Sequence, residues 1–287
     1  MPARVAIAAI RRLGHEAART DQDLVAVEAP LSVVVRSASG APPRPLGILM
    51  RTPGDDRELV LGLLHSEGLI RTTADVVSLA LTEASDAGDA ADVTLAASID
   101  LDSALTGRAI LGTCACGLCG RLAIEQVDSL RRGATTAMSV AWLPDLISAL
   151  PAALRAHQSV FAETGGLHAA GLFDREGRLL AIREDVGRHN AVDKLVGAAL
   201  EARALPAVES LLVVSGRVAY EIVQKAVMAG VSGVVAVGAP TSLAVDAARA
   251  TGLLLIGFAR DGRFNVYAEH ASILTPAPQG TSPLSAS

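Results

Sequence analysis

Residues 210–259 read SLLVVSGRVAYEIVQKAVMAGVSGVVAVGAPTSLAVDAARATGLLLIGFA. Three short apolar runs, SLLVVSG, GVVAVG and LLLIGFA, alternate with two segments of helical period, AYEIVQKAVMAG and SLAVDAARATG. Apolar runs too short for helices, separated by crossover helices, predict parallel strands in a sheet covered on both faces. Upstream, LHAAGLFDREGRLLAIRED is two apolar runs around Asp174, Arg175, Glu176 and Gly177, the signal of a hairpin. GRHNAVDKLVGAALEARAL follows as an amphipathic helix with Ala191, Leu195, Ala198 and Ala199 on one side. LPDLISALPAALRAHQSVFAE is a helical connector in which Pro144 suits a helix start and Pro151 predicts a kink.

The first half is patterned differently. LVAVEAPLSVVVRSASG, centred on Val33, Val34 and Val35, and ADVTLAASIDL predict β-structure. Between them, Pro53 and Gly54 make a turn, and Asp55 or Asp56 is the expected cap of a helix beginning near Arg57. The expected organisation is a flexible arm (1–22), an N-terminal α+β domain with the cysteine loop (23–133), a helical connector (134–163), an α/β domain (164–272) and a disordered tail (273–287).

Of the 287 residues, 51% are hydrophobic and 19% charged, so the chain folds. Only 2% are aromatic, and the net charge is −5; both argue against a nucleic-acid binder. The N-terminal apolar run is broken by Arg11 and Arg12, and no secretory cleavage pattern follows. The uncharged stretch 226–245 is interrupted by glycines and a proline, and reads as helix end, strand and helix start rather than a membrane span.

All three cysteines, Cys114, Cys116 and Cys119, lie in GTCACGLCG at 112–120. Clustering of this kind points to cytosolic thiol or metal chemistry rather than a disulfide framework. A Cys₃His zinc site, a dithiol exchange pair, an iron–sulfur site and a persulfide carrier all compete. No histidine has finger-like spacing, no thioredoxin-like unit precedes the loop, and three thiols fall short of the usual cluster set. Spacing alone puts metal first, with redox and sulfur transfer close behind. In the second half, three strand exits offer phosphate-friendly turns: Ser215-Gly216-Arg217, Gly238 with Thr241 and Ser242, and Phe258 through Arg263. None matches a dinucleotide or P-loop fingerprint. Each is otherwise an ordinary turn, and Arg260 and Arg263 are otherwise a solvated hairpin. REDVGRHNAVDKL gathers Asp185, Arg188, His189, Asp193 and Lys194, with Asp185 a candidate helix cap. His189 is either a proton carrier or a surface partner of Asp185.

In order, CGLCG, TGGLHAAGLFD, REDVGRHNAVDKLVG, SGRVAYEIVQKA, GAPTSLAVDAA and GFARDGRFNVY resemble motifs of the FdhD/NarQ family, as does MRTPGDDRELVLGLLHSEGLI. The resemblance implies a sulfurtransferase serving formate dehydrogenase. It implies that a cysteine desulfurase supplies the sulfur, which travels as a cysteine persulfide to molybdenum bis(molybdopterin guanine dinucleotide), a bound substrate rather than a permanent cofactor. Cys116 then matches the persulfide bearer and Cys119 its partner, while Phe258, Ala259, Arg260, Asp261, Gly262 and Arg263 match the cofactor stretch. Arg188, His189 and Arg217 are added to that pocket on their chemistry alone, and no resident metal is expected. Family likeness further implies a cytidine-deaminase-like three-layer α/β/α core in the C-terminal half beside the smaller N-terminal α+β domain, a homodimer and a cytoplasmic location. The deaminase zinc signature is absent from the sequence, so deamination is not expected. The alternative is a non-catalytic cofactor-binding chaperone with a thiol- or zinc-stabilised loop.

Overall fold

The computed structural model describes residues 3–12, 19–83, 88–101 and 140–269. The cysteine loop, with Cys116 and Cys119, and the tail expected at 273–287 lie outside the described residues.

Part of the expected N-terminal arm is ordered as a hairpin. Strands β1 (Val5–Arg12) and β2 (Arg19–Ala26) pair antiparallel, from Val5 opposite Ala26 to Arg12 opposite Arg19. Backbone pairing between the two strands gives this segment regular structure.

A four-stranded sheet follows, in the order β4 (Arg44–Arg51), β3 (Ala29–Ser37), β6 (Asp89–Leu95), β5 (Val76–Thr82). Alternation in β3 sends Leu31, Val33 and Val35 inward, where they meet Val93 and Leu95 of β6. Helix α1 (Asp56–Ser66) covers this face. Its residues 59–66 are all buried, because the helix is packed on two sides. Asp55 stands at the helix start in a left-handed conformation (φ 57°), with no side-chain cap bond; its carboxylate pairs with Arg4 instead.

The larger sheet has six strands, ordered β12 (Arg263–Ala268), β11 (Leu254–Arg260), β10 (Gly233–Ala236), β9 (Leu211–Val214), β7 (His168–Phe173), β8 (Leu179–Asp185). β9, β10 and β11 are parallel, as the alternating pattern predicts, and β7–β8 and β11–β12 are antiparallel hairpins. Helix α2 (Pro144–Ala156), which runs through Pro151, packs on one face with Trp142. The short α3 (Ser159–Thr164) leads from it into β7. Helices α4 (Arg188–Glu201), α5 (Tyr220–Ala229) and α6 (Ser242–Thr251) pack on the other face. Thr241 caps α6 as expected, its hydroxyl accepting from Ala244 N at 3.3 Å. The second half is therefore an α/β/α sandwich.

α1 joins the two sheets by packing on α4. A Cβ on Gly62 would lie 1.8 Å from the Asp193 carbonyl oxygen, and one on Gly197 1.9 Å from that of Glu58. Two glycines thus set the backbone approach of the helices. Two buried charged pairs lie at the same seam. Asp193 accepts from Lys225 Nζ at 2.7 Å and Ser66 Oγ at 2.9 Å. Lys194 Nζ lies 2.8 Å from Asp185 Oδ2 and donates to the Thr52 carbonyl at 2.8 Å. Asp193 and Lys194 are seam residues, not site residues.

Candidate functional site

In the parallel part of the sheet, carboxyl ends point to one edge, and the antiparallel β7 begins there. The loop after β9 carries Ser215, Gly216 and Arg217. Ser215 Oγ accepts from Ala169 N at 2.9 Å, and Ser215 N donates to the Ala169 carbonyl at 3.0 Å, which fixes His168 beside this loop. The next exits stack on it: Gly238 N donates to Gly216 O at 3.2 Å, and Phe258 N to Gly238 O at 3.1 Å. Gly238 allows this approach, since a Cβ there would stand 2.8 Å from Gly216 O.

β11 turns into β12 through Asp261 and Gly262, both left-handed (φ 53° and 71°), with Arg260 paired opposite Arg263. Two successive positive φ values in an Asp-Gly pair are the two-residue hairpin that suits the sheet's twist. Phe258, also left-handed (φ 53°), sits in a register shift and exposes 39% of its surface. A bulky aromatic is seldom held this way.

These elements border a cleft of about 720 Å³. His168, Ser215 and Val237 form its strand-end side, Ala259, Arg260, Asp261 and Gly262 the hairpin side, and α2 and α3 the third side. Of the expected cofactor residues, Ala259 to Gly262 line the cleft. Phe258 and Arg263 flank that stretch outside the wall.

Arg188, His189 and Arg217 gather beside His168 rather than lining the cleft. Burial and the charges of Arg188, His189 and Arg217 push the His168 imidazole below its ordinary value of 6.5, against a weaker pull from Asp185. Burial and the neighbouring guanidinium groups of Arg188 and Arg217 therefore disfavour the charged form of His168. His189 does not pair with Asp185. Its Nε2 lies 2.9 Å from Glu221 Oε2 in the first turn of α5, and this contact is the leading cause of the lowered Glu221 carboxyl pKa. Asp185 is not a helix cap. It accepts from Gly187 N at 2.8 Å and Asn190 Nδ2 at 3.0 Å, and so shapes the turn that presents Arg188 and His189.

Sequence reasoning missed His168 and the third wall. Arg155 places its guanidinium carbon 4.1 Å from the Phe161 ring centroid. Gln158 is 4% exposed, and its Nε2 has no hydrogen-bond partner among the described residues. The TGGLH motif held the signal for His168. Nothing in the connector's helical pattern marked Arg155, Gln158 or Phe161.

Chemically, the edge offers neutral and charged nitrogen donors, backbone turns and a flat aromatic surface, a combination suited to a phosphorylated ring compound. Among the described residues no helix is long and apolar enough to cross a membrane.

Comparison with known proteins bears on the whole chain. The sulfur carrier protein FdhD of Nocardia farcinica is 47% identical over 251 residues, covering 86% of each chain. Its counterpart from Streptomyces avermitilis is 43% identical over 273 residues, 93% of this chain and 95% of that one. That of Sulfolobus acidocaldarius is 40% identical over 248 residues, 86% of this chain and 90% of the other. A crystal structure from Desulfotalea psychrophila, described as a formate dehydrogenase accessory protein, superposes with a TM-score of 0.71 at 22% identity, over 95% of this chain and all of that one, and supports the fold. The FdhD/NarQ family model matches residues 26–274, and with relatives this similar along most of their length, the chain belongs to the FdhD/NarQ family.

Proposed function

We propose that this chain is a cytoplasmic sulfurtransferase for formate dehydrogenase that binds the guanine dinucleotide ends of molybdenum bis(molybdopterin guanine dinucleotide) in the cleft. Relatives named sulfur carrier protein support the sulfur-transfer part. The observation that carries the cofactor part is convergence: Arg260, Asp261 and Gly262, from the stretch matching the family's cofactor motif, share one cleft with His168 and Ser215. Cations grouped at strand ends are a setting for diphosphate. The cleft's volume is in the range of small-molecule sites.

In the proposed reaction the Cys116 thiolate attacks the outer sulfur of the desulfurase's persulfide. One S–S bond forms as the donor's breaks, and the donor leaves as a thiolate. Cys119 assists the onward transfer. We further propose a homodimer, and a deaminase-like ancestry for the second-half core; the six-stranded sheet layered by helices on both faces supports the latter.

Intact-mass spectrometry after incubation with a cysteine desulfurase and cysteine tests the reading. The expected result is a one-sulfur adduct that is lost in Cys116→Ala. Absence of any adduct on the wild-type chain, with formate dehydrogenase still maturing, leaves the escorting chaperone in its place.

A further inference from the structure

The β1–β2 ribbon belongs to neither large sheet. Among the described residues it is a two-stranded sheet of its own, with a free edge on each side. Its base is tied to the body, where Arg4 pairs with Asp55 and Val27 N donates to the Arg4 carbonyl at 2.9 Å. β2 rests on α3, and β1 is the outer strand. A two-stranded ribbon is marginally stable in water at best, and independent stability takes three strands or more. The two edges differ in kind. β2 carries Asp21 and Asp23, and charges of this sort protect an edge from pairing. β1 reads VAIAAI from Val5 to Ile10, with no charge, proline or glycine, and so presents an unprotected edge. One face of the ribbon is also apolar and uncovered: Ile7 stands directly opposite Leu24, and they are 68% and 41% exposed.

We infer that β1 pairs antiparallel with β1 of a second copy of this chain, about a twofold axis at Ile7, and joins the two ribbons into one four-stranded sheet. The inference rests on the homodimer reading and adds its surface and register. With Ile7 opposite Ile7, Val5 meets Ala9 of the second copy and Ala6 meets its Ala8. Every residue from Val5 to Ala9 thus faces an aliphatic one, the self-complementarity that a twofold contact requires. Across the four strands one row reads Leu24, Ile7, Ile7, Leu24, so the most exposed side chains of the ribbon become cross-strand neighbours. Charge selects this register. Arg11 and Arg12 fall beyond the paired stretch, and Arg4 stands opposite Ile10. An axis at Ala8 would set Arg4 against Arg12 of the second copy, and like charges directly opposite are destabilising. A strand pairing of this length is a small interface, so the association is expected to be weak, roughly micromolar.

Analytical ultracentrifugation of the full chain over a range of concentrations, under reducing conditions, tests it with Ile7→Lys and Ile7→Glu. Residue 7 is exposed, so both variants are expected to fold and to melt as the wild type does. Because residue 7 faces itself across the axis, each variant alone sets like charges opposite one another and is expected to weaken the dimer about tenfold or more. An equimolar mixture of the two sets Lys opposite Glu and is expected to recover association. Variants that dimerise as tightly as the wild type place the interface elsewhere and overturn the inference, while the homodimer reading stands. Variants that dissociate but do not associate when mixed overturn the register at Ile7, and the inference with it. A wild-type chain that stays monomeric over the whole range removes the homodimer reading itself.

Discussion

Glu184 holds Phe161 by its backbone: one carboxylate oxygen takes the Phe161 N–H at 2.9 Å, and the other takes that of Val160 at 3.0 Å. A residue near the end of β8 thereby fixes the start of α3, 23 positions earlier. Glu184→Gln turns one acceptor into a donor facing a backbone N–H. The expected cost is about 1–3 kcal/mol of stability, the usual scale for a buried unsatisfied group. Urea denaturation measures it.

Arg260 and Arg263 face each other across the β11–β12 hairpin, but only Arg260 lines the cleft. Their loss is therefore expected to be unequal. On the proposed reading, Arg260→Ala removes a charge-assisted contact to phosphate and is expected to weaken GDP binding about tenfold or more. Arg263→Ala is expected to change it by about twofold or less, as for an exposed, screened charge. Equal losses in a titration count against this placement.

His168 supplies the pH dependence. Its folded-state value lies below 6.5, so the unfolded chain takes up a proton that the fold resists. Its contribution makes stability rise with pH between the folded value and about 6.5, and the deficit stays below that window. His168→Gln is expected to flatten the stability profile just below about 6.5. A bound diphosphate adds negative charge and raises the imidazole's pKa, so GDP affinity is expected to grow as pH falls through that window, and less so in His168→Gln. Imidazole resonances followed by NMR with and without GDP report the shift directly.

The α1–α4 crossing leaves no room at Gly62 or Gly197. The atoms in the way are backbone carbonyls, which cannot swing aside as a side chain would. Either glycine to alanine is expected to cost about 3 kcal/mol or more, at the upper end of overpacking. Differential scanning calorimetry checks it.

Lys194 and Asp185 are fully buried as a pair. Lys194→Met strands the Asp185 charge and is expected to cost about 3–5 kcal/mol. It also frees the turn bearing Arg188 and His189, so weaker GDP binding is expected along with the lower melting temperature. Loss of stability with unchanged affinity shows that the turn holds its shape through its bonds to Thr52, Gly187 and Asn190.

Sequence by itself determined the alternation of strands and helices from His168 to Arg260, because short apolar runs and helical periods are local properties of the chain. It also determined the Asp261-Gly262 turn and the Thr241 cap, where the chemistry lies within a few residues. Through its ordered motifs it pointed to the family. Tertiary structure alone decided which distant side chains meet: Glu184 reaches Phe161, His189 meets Glu221 and Lys194 meets Asp185 because separate elements pack together. It also decided that Asp193 and Lys194, charged residues in a motif, belong to seam pairs, and that His168, Gln158 and Phe161 belong to the cleft. Burial, and the loss of water that gives a charge or an orphan donor its weight, is a property of neighbours brought together by folding, and no run of sequence carries it.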